Sequence, residues 1–218
     1  MDPRYKIADT SRLITPALVL FREVLEENLD RMIAVAGSVG RLRPHCKTHK
    51  MPQVTRMELA RGITRHKCAT IAEAEMLADA GVKDIFLAYN IVGANIARVV
   101  AFTQKYPEVQ FLVTADHPTP IAQLGAALQR AGTNVGVLLD LDVGQHRTGV
   151  PAGPRAVELY QLLARTPGLT PAGLHVYDGH QHQKSRVERE AAINAEWGRV
   201  LELRDTLKRL GLPVPRLV

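Results

Sequence analysis

Strand-like and helix-like stretches take turns along almost the whole of this chain, and that regular alternation does most to narrow the folds open to it. Ala17–Phe21 is a short apolar run. A helical pattern follows over residues 22–36, with apolar positions at Val24, Leu25, Leu29, Met32 and Ile33. Further runs of strand character fall at Leu42–Cys46, His66–Thr70, Ile85–Tyr89, Val109–Val113, Val135–Leu141, Leu174–Tyr177 and Pro215–Val218. Helical patterns over 71–80, 96–103, 121–131, 156–164 and 187–210 separate most of them. Strands joined by helical crossovers form parallel sheets, and seven strand runs after the first helix exceed what most open sheets need. The expected fold is α/β, a (β/α)8 TIM-type barrel. A doubly wound sheet is the alternative, but no G-x-G-x-x-G follows the early strands to support a dinucleotide site.

With 218 residues, 46% of them hydrophobic, the chain can bury one substantial core. The N-terminus, Met1-Asp2-Pro3-Arg4-Tyr5-Lys6, lacks the apolar centre of a signal peptide, and no apolar run nears the roughly 20 residues needed to span a bilayer. No membrane association is expected, and a cytoplasmic location is the default. Two cysteines, Cys46 and Cys68, are too few for a disulfide framework or a cysteine-based zinc site, and free thiols are expected. The net charge of +6 raises nucleic acid as a partner. Against it, the arginines are spread through the helices and aromatics make up only 5%, which leaves no stacking platform. A basic surface around an anionic small molecule is the simpler account.

The most telling segment is Arg43-Pro44-His45-Cys46-Lys47-Thr48-His49-Lys50, a basic knot at the end of an apolar run. A lysine crowded by other cations at the rim of a core tends towards the neutral, nucleophilic amine that Schiff-base chemistry needs. A solvated basic turn or a phosphate-binding loop is the plainer reading of such a cluster. The order of residues, about one helix in from the N-terminus, resembles the cofactor-lysine motif of the D-threonine aldolase family and the related D-serine dehydratases. Their barrel domain is shared with alanine racemase. The resemblance implies that Lys47 carries pyridoxal 5'-phosphate, with Lys50, three positions on, as the rival.

Two further motifs extend the resemblance. Asp140-Leu141-Asp142-Val143-Gly144-Gln145-His146-Arg147-Thr148-Gly149-Val150 is similar to a D-x-G-x-x-R-x-G segment of racemase-like barrels, and this implies that Arg147 contacts the cofactor's phenolic oxygen. Asp140 and Asp142 share a strand face and are placed to order Arg147 or the barrel interior. Gly173-Leu174-His175-Val176-Tyr177-Asp178-Gly179-His180-Gln181-His182-Gln183 looks like the family's Y-x-G-x-x-Q-H loop, shortened by one residue. Alternation puts His175 and Tyr177 on one face. The resemblance implies that Tyr177 lies against the cofactor ring and that His182, with His180 as the alternative, is the base for a substrate hydroxyl. Three histidines so close also invite a metal reading, but the spacing lacks the helical i, i+4 geometry of familiar zinc motifs, and no metal ligand is assigned. Asn90 is expected to cap the helix near Gly93, His66 to pack in a strand and His117 to open a helix beside Pro118.

Gly211-Leu212-Pro213-Val214-Pro215-Arg216-Leu217-Val218 closes a helix with glycine, turns through two prolines and stops inside a new strand. In the resembling family a glycine-rich phosphate loop, the eighth strand and a C-terminal β domain follow this point. Residues 1–218 are therefore expected to be the cofactor-binding barrel domain of a longer protein, with 1–21 as a lead-in segment and strand. The implied activity is cleavage of D-threonine and related D-3-hydroxy amino acids to glycine and an aldehyde, by a homodimer at full length. A divalent metal, manganese or magnesium, would be bound mainly by the missing domain. The alternatives are a D-serine or 3-hydroxyaspartate dehydratase and a non-catalytic pyridoxal-phosphate-binding barrel.

Overall fold

The computed structural model describes residues 3–218; Met1 and Asp2 of the expected lead-in lie outside it. Five parallel strands form one sheet in sequence order: β1 (Arg65–Cys68), β2 (Asp84–Asn90), β3 (Gln110–Ala115), β4 (Val135–Leu141) and β5 (Leu169–Val176). Helices α1 (Arg22–Ala36) and α2 (Pro52–Ala60) precede the sheet, and α3 (Ile71–Asp79), α4 (Asn95–Lys105), α5 (Pro118–Arg130) and α6 (Pro154–Arg165) are the crossovers. The long α7 (Arg186–Arg209) follows β5. Among the described residues no helix is long and apolar enough to cross a membrane.

The period-two pattern of the strands sorts their side chains into two layers. Ile85, Leu87, Phe111, Val113, Val137, Leu139 and Leu174 face the helices in one large core. Phe86, Leu112, Leu138 and Ala172 form a small cluster on the other, concave face. That face curls strongly. Four inter-strand spacings would put about 19 Å between β1 and β5 in a flat sheet. Yet Lys67 Nζ on β1 lies 2.8 Å from His175 Nε2 on β5. The sheet is thus part of a barrel wall, as the alternation predicts.

Seven strand runs were expected after α1, and the outermost two are reduced to single parallel bridges, His45 with Lys67 and Leu174 with Leu217. Proline explains both. Pro44, Pro213 and Pro215 have no amide hydrogen to extend a ladder, so pairing rests on a few bonds such as Lys67 N to Pro44 O at 2.8 Å and Val218 N to Leu174 O at 3.0 Å. The expected strand at Ala17–Phe21 does not form. Among the described residues no strand pairs with this segment, and Leu18 remains 80% exposed. Helix α2 has no counterpart in the sequence pattern: its buried positions are Val54, Thr55 and Glu58, so polar residues interrupt the apolar period.

Local signals set the crossovers. Thr70 caps α3 by accepting from Glu73 N at 3.1 Å, while the Glu73 carboxylate accepts from Ala69 N at 2.7 Å, a reciprocal arrangement that fixes where β1 turns into α3. His117 Nδ1 caps α5 ahead of Pro118, as its position suggests. His66 packs fully buried in β1.

Candidate functional site

The C-terminal ends of the strands open on a cavity of about 470 Å³. Its walls come from five places in the chain: His45 and Lys47; Lys67 and Ala69; Ala88, Tyr89 and Asn90; Asp140, Arg147 and Thr148; and His175 and Tyr177. Loops at this end of parallel barrel strands are where binding residues converge. A second cavity of about 360 Å³ lies at the opposite end, near Gln110, Asn134 and Arg216, and holds none of the residues singled out by the motifs.

Lys47 sits in a short 3-10 turn, Cys46–Thr48, entered through His45, whose Nδ1 accepts from Lys47 N at 3.2 Å. The turn points Cys46 into the core and leaves Lys47 exposed. Glu73 secures this loop: Lys50 Nζ lies 3.3 Å from its Oε1, and the Cys46 thiol faces its Oε2 at 3.8 Å. Lys50 also donates to Lys47 O at 2.7 Å and does not line the cavity. Arg43 turns away and pairs with Asp84 through two contacts of 2.8 and 3.0 Å. Burial, with the Glu73 charge adding to it, pushes the Cys46 thiol up to about 12, so thiolate chemistry is closed to it.

Arg147 is delivered by a loop that leaves β4 and folds back on it. Asp142 accepts from Gly144 N and His146 N, and Gly149 N donates to Asp116 Oδ2 at 2.9 Å. Gly149, at φ +92°, crosses so close to β4 that a Cβ would lie 2.7 Å from Asp142 N. Asp142 therefore holds the loop backbone, and Asp140 orders the barrel interior through His175, the second of the two roles expected of the pair, while neither carboxylate bonds the Arg147 side chain. Instead the guanidinium lies over the Tyr177 ring, 5.3 Å from its centre.

A bulge in β2, between Leu87 and Asn90, carries Asn90 into the cavity. The expected cap role is not filled, since α4 starts at Asn95 without a side-chain cap. Asn90 Oδ1 is buried with no partner, an acceptor left for a ligand. The loop histidines are elsewhere. His180 lies over the Arg147 loop, where a Cβ on Gly144 would be 2.9 Å from its Nε2, and it accepts from Gln181 Nε2. His180 is half-buried, and His182 is exposed on the same loop. Neither is among the cavity-lining residues.

Three cavity groups were missed as site residues or given minor roles in the sequence. Lys67 Nζ contacts His175 Nε2 at 2.8 Å, and His175 Nδ1 contacts Asp140 Oδ1 at 2.6 Å. Burial lowers the Lys67 pKa to about 8, and burial likewise lowers that of His175. The available signal was a lysine set between two core residues, His66 and Cys68, and so turned to the opposite face of the strand.

One trio among the described residues, His45, Cys46 and Glu73, brings potential metal-donor atoms within 4.8 Å of one another. The charges around it oppose a cation: Lys50 already neutralises Glu73, and burial together with Lys47, Lys67 and Lys50 lowers the His45 pKa to about 4. The trio does not suit the expected divalent metal. The main cavity has the opposite character, with Lys47, Lys67 and Arg147 against one carboxylate, Asp140, and it suits a ligand rich in anionic oxygens.

A barrel wall with an amine- and guanidinium-lined cavity at its C-terminal end defines a class of α/β barrels. The alanine racemase N-terminal domain family matches residues 22–218, and the chain belongs to it. It is 35% identical over 181 residues to a D-threonine aldolase of Arthrobacter sp, covering 82% of this chain and 47% of that protein. It is 34% identical over 208 residues to a 3-hydroxy-D-aspartate aldolase of Paracoccus denitrificans (strain Pd 1222), covering 94% and 53%. The crystal structure of D-threonine aldolase from Filomicrobium marinum superposes with a TM-score of 0.86 at 32% identity, over 94% of this chain and 55% of that one. The chain spans about half the length of the curated relatives it matches.

Proposed function

We propose that this chain is the cofactor-binding part of a pyridoxal-phosphate-dependent aldolase that cleaves D-threonine and related D-3-hydroxy amino acids. The observation that carries this reading is the meeting of Lys47, Arg147 and Tyr177, from segments up to 130 residues apart (177 − 47), around one cavity at the C-terminal ends of the strands. The donor set fits the cofactor: an accessible amine for its aldehyde carbon, a guanidinium for an anionic oxygen, an aromatic face, and the unpartnered Asn90 Oδ1 as an acceptor. When bound, pyridoxal phosphate supplies an electron sink that lets the bond between Cα and Cβ of the amino acid break.

This chain's own residues prepare that chemistry. Lys47 would hold the cofactor through its amine and release it to the amine of the substrate. Arg147, a permanent cation 5.3 Å from the centre of the Tyr177 ring, would hold the phenolic oxygen in its charged form. Tyr177 would offer its ring face to the cofactor. The proposed base for the 3-hydroxyl, His182 or His180, stands on the loop just beyond Tyr177, and the reading requires that loop to turn inward. No step is assigned to a metal bound by these residues.

Borohydride reduction of the protein with pyridoxal phosphate is expected to leave a stable adduct on the peptide holding Lys47, and Lys47→Ala to abolish it. An adduct on Lys50 would overturn the assignment. With D-threonine, glycine and acetaldehyde are expected; a keto acid with ammonia would make the protein a dehydratase instead.

A further inference from the structure

Lys67 has no part in the proposed function, yet it is the most elaborately supported amine of the cavity. Asp140 and His175 are direct partners across the β4–β5 ladder, so their contact is set by strand register. Asp140 is 5% exposed and His175 4%. The carboxylate at Nδ1 keeps the imidazole proton there, which leaves the Nε2 lone pair to accept from Lys67. Carboxylate, then imidazole, then a group at the cavity wall is the order found in relays that activate a nucleophile or base, here with an amine at the end.

Two aromatic rings flank Lys67, and His45 shares its wall of the cavity. The Phe86 ring lies 5.3 Å from Nζ and the Tyr177 ring 5.5 Å. Burial is the largest influence on its proton affinity, Asp140 opposes it, and the cations Lys47, Arg43 and Arg147 reinforce it. The outcome, a pKa lowered to about 8, leaves a working fraction of neutral amine near neutral pH. Lys50 lies outside the cavity and is engaged by Glu73, and His45, with a pKa of about 4, is too weak a base to take a proton from an ammonium group.

We propose that Lys67 is a general base of this site: its neutral amine takes the proton that the ammonium group of an incoming amino acid must lose before that nitrogen can attack the carbon joined to Lys47. The step balances simply. The substrate N–H bond breaks, its electron pair stays on the substrate nitrogen, and the proton and its positive charge pass to Lys67. His175 and Asp140 keep their protonation states and hold the Lys67 amine in place. The proposal rests on Lys47 being the cofactor lysine.

Two measurements test it. Competitive acetylation of the cofactor-free protein across pH, read by mass spectrometry, should show Lys67 becoming reactive near pH 8, while exposed lysines follow the ordinary value of about 10.4. An ordinary titration of Lys67 would overturn the proposal. Next, the pyridoxal-phosphate-loaded protein is mixed with D-threonine, and the spectral change that reports amine exchange is followed. Its rate should rise with pH to a midpoint near 8, because protonation below that value removes the base. Lys67→Met should lose this limb and slow the exchange about 100-fold or more, while still giving the borohydride adduct on Lys47. Lys67→Arg keeps a cation against His175 but cannot deprotonate, so it should be equally slow, and it stands in if the methionine variant does not fold. Recovery of the wild-type rate by arginine, or unchanged exchange in the methionine variant, would overturn the role of Lys67 and leave the Lys47 assignment standing. An adduct on Lys67 in the unaltered protein, or none on Lys47, would bring down both.

Discussion

Arg147 shows how a side chain acquires a role from its setting. In the sequence it is an arginine in a polar loop; in the structure its guanidinium lies over the Tyr177 ring and shares one cavity with Lys67 and Lys47. Lysine at this position would keep the charge and lose the plane. Arg147→Lys is therefore expected to shift the visible absorption of the cofactor-loaded protein and its pH dependence, and to reduce turnover by an order of magnitude or more. An unchanged spectrum and rate would place Arg147 outside the site. Residue types and order singled out Lys47, Arg147 and Tyr177, each in a compact motif, and the three line one cavity. Lys67 was not legible. Its partners stand 73 and 108 positions away (140 − 67 and 175 − 67), and only the curl of the sheet brings them within reach.

Regular elements were legible where one face is purely apolar. Helix α1 over 22–36 and strand β4 over 135–141 emerge with the bounds their patterns predict. Patterns failed where polar groups are buried by pairing. Glu58 on α2 meets His66 on β1, Oε2 to Nε2 at 3.0 Å, with His66 fully buried and Glu58 nearly so. Such a pair hides the helix from an apolar count. Its two members also depend on each other, since a buried polar group stripped of its partner costs about 1–3 kcal/mol. Glu58→Ala is expected to destabilise the protein by about that amount, a fall of roughly 2–9 °C in melting temperature for a chain of this size. Replacing both residues, Glu58→Leu with His66→Val, should recover much of the loss. A single variant as stable as the parent in thermal melts would show that the pair does not hold α2 to the sheet.

For the molecule as a whole, the barrel wall grows by neighbouring strands alone, in the order β1 to β5, with each ladder closed by one local crossover. The cavity follows a different rule. The contact between Lys67 and His175 joins positions 108 residues apart and requires the whole sheet to have curled. Loops of that length close late, because chain entropy must be overcome before the contact can form. During refolding, far-ultraviolet circular dichroism should recover ahead of the capacity to bind pyridoxal phosphate, and simultaneous recovery would contradict this order. The same separation bears on synthesis at the ribosome. A nascent chain that has emerged only through β4 carries Lys47, Lys67 and most of the wall, but His175 and Tyr177 are still to come. Competence to hold a ligand therefore waits for β5, and a chain stalled or released before it has strands and helices but lacks His175 and Tyr177.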